Sequence, residues 1–319
     1  MARPSPPPEP DQGTPLIGIA LAILTVALFA LGDTITKALA ARHPVEQIGA
    51  VRYGVGLLLL LVFVAPRQGR RLWRVQRPAL ALLRGAILAA MTLVMGHALR
   101  LMPVGETVAI MYLAPFAVMA LAVPLLGERV TPPGWMLAGL GFAGVVLIVR
   151  PGGALDPVGV ALALVLAAGN TAFHLVTRVL SRSETATAML FHVTAAGAAL
   201  FAVAVIPTLE GPMPGLVDLS LMASLGVIFT AGHFLFGVAY RHAPASLIAP
   251  VNYLHFVWAT LMGWAAFGHV PDLTTAVGMG LILASGMAIA LMAHLRTRRA
   301  RRTAGRTAGR REPVVMGVE

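Results

Sequence analysis

Along the chain, apolar runs of about 20 residues follow one another with short polar connections, and each is long enough to cross a hydrocarbon core of about 30 Å as a helix. Ten spans are predicted: 15–40, 47–65, 79–99, 103–126, 133–150, 157–180, 185–206, 218–239, 243–267 and 273–295. Residues 1–14, MARPSPPPEPDQGT, form a proline-rich lead predicted to be disordered. Residues 296–319 are predicted to be a basic tail without structure.

The runs are duplicated. Ala98, Arg100 and Pro103 recur, with one constant offset, as Ala239, Arg241 and Pro244. The same offset carries Tyr112-Leu113 onto Tyr253-Leu254, Gly127 onto Gly268, Gly18 onto Gly159 and Thr36-Lys37 onto Thr177-Arg178. Spans one to five (15–150) therefore match spans six to ten (157–295). Five crossings is an odd number, so the second unit enters the membrane upside down. The predicted fold class is an all-α membrane protein, ten transmembrane helices as two inverted five-helix repeats, an architecture that places a substrate site near the midplane.

Composition agrees: the chain is 58% hydrophobic and 12% charged, against about 45–50% and about 25% in soluble domains. Its net charge of +11 gathers beside the spans, at Arg67, Arg70, Arg71, Arg74 and Arg77 and again from Arg296 to Arg311. Basic loops stay on the cytoplasmic side, so both termini are expected there. Anionic lipids at Arg67–Arg77 and Arg296–Arg311, and no nucleic acid, are the expected partners of that charge. Residues 208–216, equivalent to the first arginine loop, contain no Lys or Arg. With no cysteine, disulfides, thiolate metal sites and cysteine nucleophiles are excluded. No phosphate-binding glycine loop, HExxH or GxSxG is present, so no enzyme activity, cofactor or metal is expected.

Ionisable groups inside spans need partners or a wet cavity. Asp33 and Lys37 lie four apart on one face, the order that favours an ion pair, and the repeat offset sets His174 opposite Asp33 and Arg178 opposite Lys37. These four are either a gate or proton-sensitive switch, or end residues that snorkel while Asp33 neutralises Lys37. Tyr112 and Tyr253 stand nine residues past their matched prolines, roughly 13 Å into the membrane, where they are expected to face one another across a substrate. Asn252, His255, Asn170 and His233 would add hydrogen bonds there, or else only cement helices. Arg52, Arg84, Glu106 and His192 lie near span ends and are expected at the interface. Gly139-x3-Ala143 and Gly280-x3-Ala284 have small-xxx-small spacing, expected to pack spans five and ten closely, with a homodimer as the alternative use.

The stretches from Arg100 to Val130, from Gly141 to Gly152 (GFAGVVLIVRPG) and from Ala243 to Asp272 (APASLIAPVNYLHFVWATLMGWAAFGHVPD) resemble the paired EamA domains of the drug/metabolite transporter superfamily. The resemblance implies a central cavity lined by spans one, three, four, six, eight and nine, and secondary transport by alternating access. It is greatest to branches that include S-adenosylmethionine and riboflavin uptake proteins, and more distant to amino-acid exporters. His269 departs from the pattern: it stands where the first repeat has Glu128 and where relatives commonly keep Glu. The expected function is transport of a small organic metabolite across the inner membrane. Uptake of a cofactor-like compound is the narrower alternative, and a non-transporting scaffold or sensor the alternative of another class.

Overall fold

Hydrophobic runs this long leave no choice but to satisfy every backbone group within the segment, and in the computed structural model every regular element among the described residues is helical. Those residues are 15–126, 130–150, 155–181, 183–211, 213–243 and 245–308. Helix α1 (Pro15–Ala40) leads to α2 (Val45–Leu59), which continues through a π-helical stretch (Leu60–Val64) into the short α3 (Ala65–Gln68). Then come α4 (Pro78–Leu101), α5 (Val104–Met111), α6 (Ala114–Leu126) and α7 (Pro132–Val149). The second half holds α8 (Pro157–Leu180), α9 (Ala186–Ala204), α10 (Leu216–His242), α11 (Ala245–Asn252), α12 (Leu254–Phe267) and α13 (Leu273–Ala308).

Local chemistry sets the boundaries. Asp156 caps α8 by accepting from the Gly159 N–H at 2.8 Å, with Pro157 at the first helical position. Thr185 caps α9 from Ala188 N–H at 3.2 Å. Gly268, at φ +69°, closes α12 in the left-handed conformation that favours glycine.

Among the described residues nine stretches are long and apolar enough to cross a membrane, and the 14-residue α12 is a shorter apolar helix. The chain is a multi-pass membrane protein. Two sequence expectations are corrected. The fourth and ninth spans are interrupted, at Tyr112-Leu113 and at Tyr253; at the first, Pro115 lacks the N–H that would bond the Met111 carbonyl. The residues after 295 are not structureless as far as Ala308, since α13 continues to that point; alanine and arginine favour helix and prolong it past the apolar stretch. The lead 1–14 and Glu128 lie outside the described residues, as do the side chains of Arg296–Arg311.

Helix α1 packs along α10 and α12, α4 against α8 and α9, α2 against α9 and α10, and α7 along α13. The last pair does pack closely, but not through the expected residues. A Cβ on Gly144 would lie 2.6 Å from the Gly278 carbonyl oxygen, and one on Gly278 the same distance from that of Gly144. Gly139 and Gly280 have open space around them, and Ala143 and Ala284 are exposed beside them. The small-xxx-small stripes thus lie on the outer surface of the helix pair. Much of the outer surface of the bundle is apolar, with Leu58, Phe63, Phe142, Leu164 and Trp264 exposed, as hydrocarbon surroundings require.

Polar ties join helix ends. Where α1 finishes, Asp218 at the start of α10 binds His43 at 2.7 Å and Arg42 at 3.0 Å. Arg150 after α7 forms an ion pair with Asp272 before α13. Arg150 and then the Thr275 N–H, which donates at 2.8 Å, hold the Asp272 carboxyl well below the usual carboxylate range. At the opposite end Glu184 accepts from the backbone N–H groups of Gln76 and Arg77 at 2.9 and 3.0 Å.

Candidate functional site

The interruptions in the fourth and ninth spans bring Tyr112 and Tyr253 together, with ring centroids 5.2 Å apart and planes 40° to one another. The Tyr112 hydroxyl donates to the backbone carbonyl of Asn252, one residue before the second interruption. The Tyr253 ring, only 6% exposed, lies over Gly286 of α13, where a Cβ would be 2.1 Å from the ring. Asn252 keeps its own side-chain oxygen buried without a hydrogen-bond partner. In this conformation the tyrosines touch each other, and neither lines the two cavities described below.

His255 lies two residues beyond the second interruption and reaches Asp33 of α1, Nε2 to Oδ2 at 3.1 Å, with each side chain 9% exposed. The expected Asp33–Lys37 pair is therefore replaced. Lys37 donates instead to the carbonyls of Leu99 and Met102, at 2.6 and 2.7 Å, where the end of α4 leaves acceptors unfilled and carries partial negative charge. The Asp33–His255 pair sits in a ring-rich layer. Phe29, one turn before Asp33, lies 6.2 Å from His255, 5.0 Å from His233 and 5.8 Å from Phe229, while Tyr112 is 6.1 Å from His255 and 5.8 Å from Phe256. His233 joins the site through Phe29. Asn170 is half-buried in α8, and His174 and Arg178 are exposed along it; His174 is not the partner of Asp33.

Three of the four residues expected at the interface reach other segments of the bundle. Glu106, in the first turn of α5, is 2% exposed and is bonded to Nε2 of His269 at 2.7 Å. Arg84 braces three helices, its Nε donating to Thr177 Oγ1 at 2.7 Å and a terminal nitrogen to the Met189 carbonyl at 3.1 Å, with Phe173 beneath it. Arg52 lies over the Phe229 ring, 3.5 Å from its centroid. Half-buried His192 bonds the Ala188 carbonyl of its own helix at 2.9 Å. A cavity of about 240 Å³ opens between α1, the α4–α5 connection and α12, lined by Lys37, Glu106, Thr260, Phe267 and His269. Sequence reasoning missed this constellation, although an acid one turn past Pro103 at a helix start was the visible signal.

Chemically, the layer offers aromatic faces for stacking, a buried carboxylate–imidazole pair able to hold or pass a proton, and hydrogen bonders; among the described residues no group of three or more His, Cys, Asp or Glu is placed to hold a metal. Comparisons with known proteins bear on what such a layer does. Residues 16–150 match the EamA-like transporter family. The chain is 27% identical over 84% of its length, and 91% of the relative's, to an S-adenosylmethionine uptake transporter of Rickettsia bellii. It is 25% identical to a pseudopaline exporter of Pseudomonas aeruginosa (85% of this chain, 95% of that one) and 27% identical to a riboflavin transporter of Rhizobium johnstonii (88% and 92%). A solved crystal structure superposes at a TM-score of 0.62 with 22% identity, covering 89% of this chain and 97% of that chain, which shows a shared fold. Residues 16–150 thus resemble an EamA-like transporter domain, and the relatives that match the chain nearly end to end are named as transporters.

Proposed function

We propose that the protein is a secondary transporter of the inner membrane, carrying a small organic metabolite by alternating access between two inverted repeats, 15–150 and 157–295. The observation that carries the reading is the meeting of Tyr112 and Tyr253, equivalent positions of the two repeats, at two interrupted helices beside the buried Asp33–His255 pair. Broken helices at matched positions are where transporters of this build hold substrate. Substrate entry parts the tyrosines and releases Asn252 and the Tyr112 hydroxyl to bind it; Asp33, His255 and His233 lie alongside. Lys37, Glu106 and His269 line the approach from the outer side, and the closing of that end is completed by the Glu106–His269 bond. Both termini are cytoplasmic, with the exposed Arg67, Arg70, Arg71, Arg74 and Arg77 against anionic headgroups.

Flux into proteoliposomes tests this, using riboflavin and S-adenosylmethionine first, since relatives bear those names, and then amino acids and nucleosides. Saturable uptake is expected for at least one, abolished in Tyr112→Ala with Tyr253→Ala while the protein stays folded and monodisperse. Absence of saturable flux for the whole panel, or flux indifferent to both tyrosines, removes the reading and leaves a scaffold or sensor.

A further inference from the structure

Arg52 stands seven residues into α2, roughly 10 Å from that end of the helix, at the depth of Asp33, seven residues before the end of α1. A guanidinium has five N–H donors and stays charged. Arg84, the comparable cation of α4, has two acceptors. Arg52 has none among the described residues: it rests on the faces of Phe229 and Tyr53, at 3.5 and 5.2 Å from the ring centroids. Aromatic faces offset part of the charge but accept no N–H as well as an oxygen does. Asp33, the buried acid of α1, is already bonded to His255. Beside the guanidinium is a cavity of about 20 Å³, lined also by Gly56, Thr194, Thr230 and His233, with room for about one water. The chamber around Phe29 and Phe229 thus holds Arg52 and His233 beside one carboxylate, Asp33, that His255 already engages.

An intramembrane cation left without an acceptor is costly and needs a reason. We infer that Arg52 anchors an oxyanion, a carboxylate or phosphate carried by the transported metabolite, with Thr230 and His233 completing the hydrogen bonds. The inference rests on the transport reading and narrows its substrate class to organic anions. A planar fork on an aromatic shelf suits bidentate contact with such a group.

The test is a melting series on the purified full-length protein in detergent, with matched pairs differing by one charged group: indole-3-acetate and indole-3-acetamide, benzoate and benzamide, riboflavin 5′-phosphate and riboflavin. Within at least one pair the anion is expected to raise the melting temperature and its neutral partner not, with apparent affinity falling at least about tenfold in Arg52→Gln, a loss of one good charged hydrogen bond. Arg52→Lys, which keeps charge and loses the fork, should fall between. Without ligand, Arg52→Met is expected to melt above wild type, because it removes an unsatisfied charge. Overturning results are an equal response to both members of every pair, an anion response unchanged in Arg52→Gln, or stabilisation only by phosphatidylglycerol micelles, which would assign Arg52 to a lipid headgroup. Saturable flux that needs Tyr112 and Tyr253 but ignores Arg52→Gln would leave the transport reading standing and remove the anchor.

Discussion

Asp33 and His255 are each other's main polar contact in a layer otherwise made of rings. Removing one member of a buried pair strands the other, at about 3–5 kcal/mol. Asp33→Asn and His255→Ala should therefore each lower the melting temperature by several degrees or more, and the double variant should cost much less than their sum. Strict additivity in that cycle would show that the two do not act as a pair. Tyr112→Phe is milder: it deletes the donor to the Asn252 carbonyl and keeps the ring contact with Tyr253, so about 1 kcal/mol of stability is expected to go. Unchanged stability in Tyr112→Phe would mean that water replaces the hydroxyl there.

At the scale of elements, α7 and α13 approach each other backbone to backbone, and the location of that contact separates two kinds of glycine. Gly144→Ala or Gly278→Ala puts a methyl group 2.6 Å from a carbonyl oxygen of the facing helix, which must move; a loss of about 1–3 kcal/mol is expected. Gly139→Ala and Gly280→Ala meet open space and should be neutral or gain up to about 1 kcal/mol from helix propensity. Melting curves of the four variants decide it, and a reversed order would mean the outer stripes are covered by a second copy. The Arg150–Asp272 tie joins the same two helices. Because the Asp272 carboxyl is held below its ordinary value, its contribution is present above about pH 4 and is lost only as pH falls through the depressed folded value. The melting difference between wild type and Asp272→Asn should be small, weakened by salt, and constant from about pH 8 to about pH 5; a difference that fades within that range contradicts the pairing.

The whole molecule's orientation can be read directly, because the chain has no cysteine and single introduced thiols report sidedness. In right-side-out vesicles, Thr208→Cys and Asp272→Cys should react with a membrane-impermeant maleimide, and Arg70→Cys only after the membrane is opened. Labelling of Arg70→Cys from outside would invert the assignment and, with it, the outer position of the Glu106–His269 cavity. Span lengths were legible in the sequence, because they are properties of local composition. The interruptions at Tyr112 and Tyr253 were less so, since the prolines beside them fall on opposite sides, Pro115 three residues after Tyr112 and Pro250 three before Tyr253.

What the sequence by itself determined is what is written in runs: a membrane protein of many helices, basic loops, and the absence of thiol chemistry. What only the tertiary structure decided is who pairs with whom. Sequence spacing offered Asp33 the cation one turn away, yet its partner is His255, from the other half of the chain. Lys37 went to the carbonyls ending α4, Glu106 is bonded to His269, and the close glycines of α7 and α13 proved to be Gly144 and Gly278. The reason is physical. Hydropathy acts residue by residue and survives in the linear order, whereas hydrogen bonds and packing depend on which helix faces which, and that is set by the sum of contacts across the bundle.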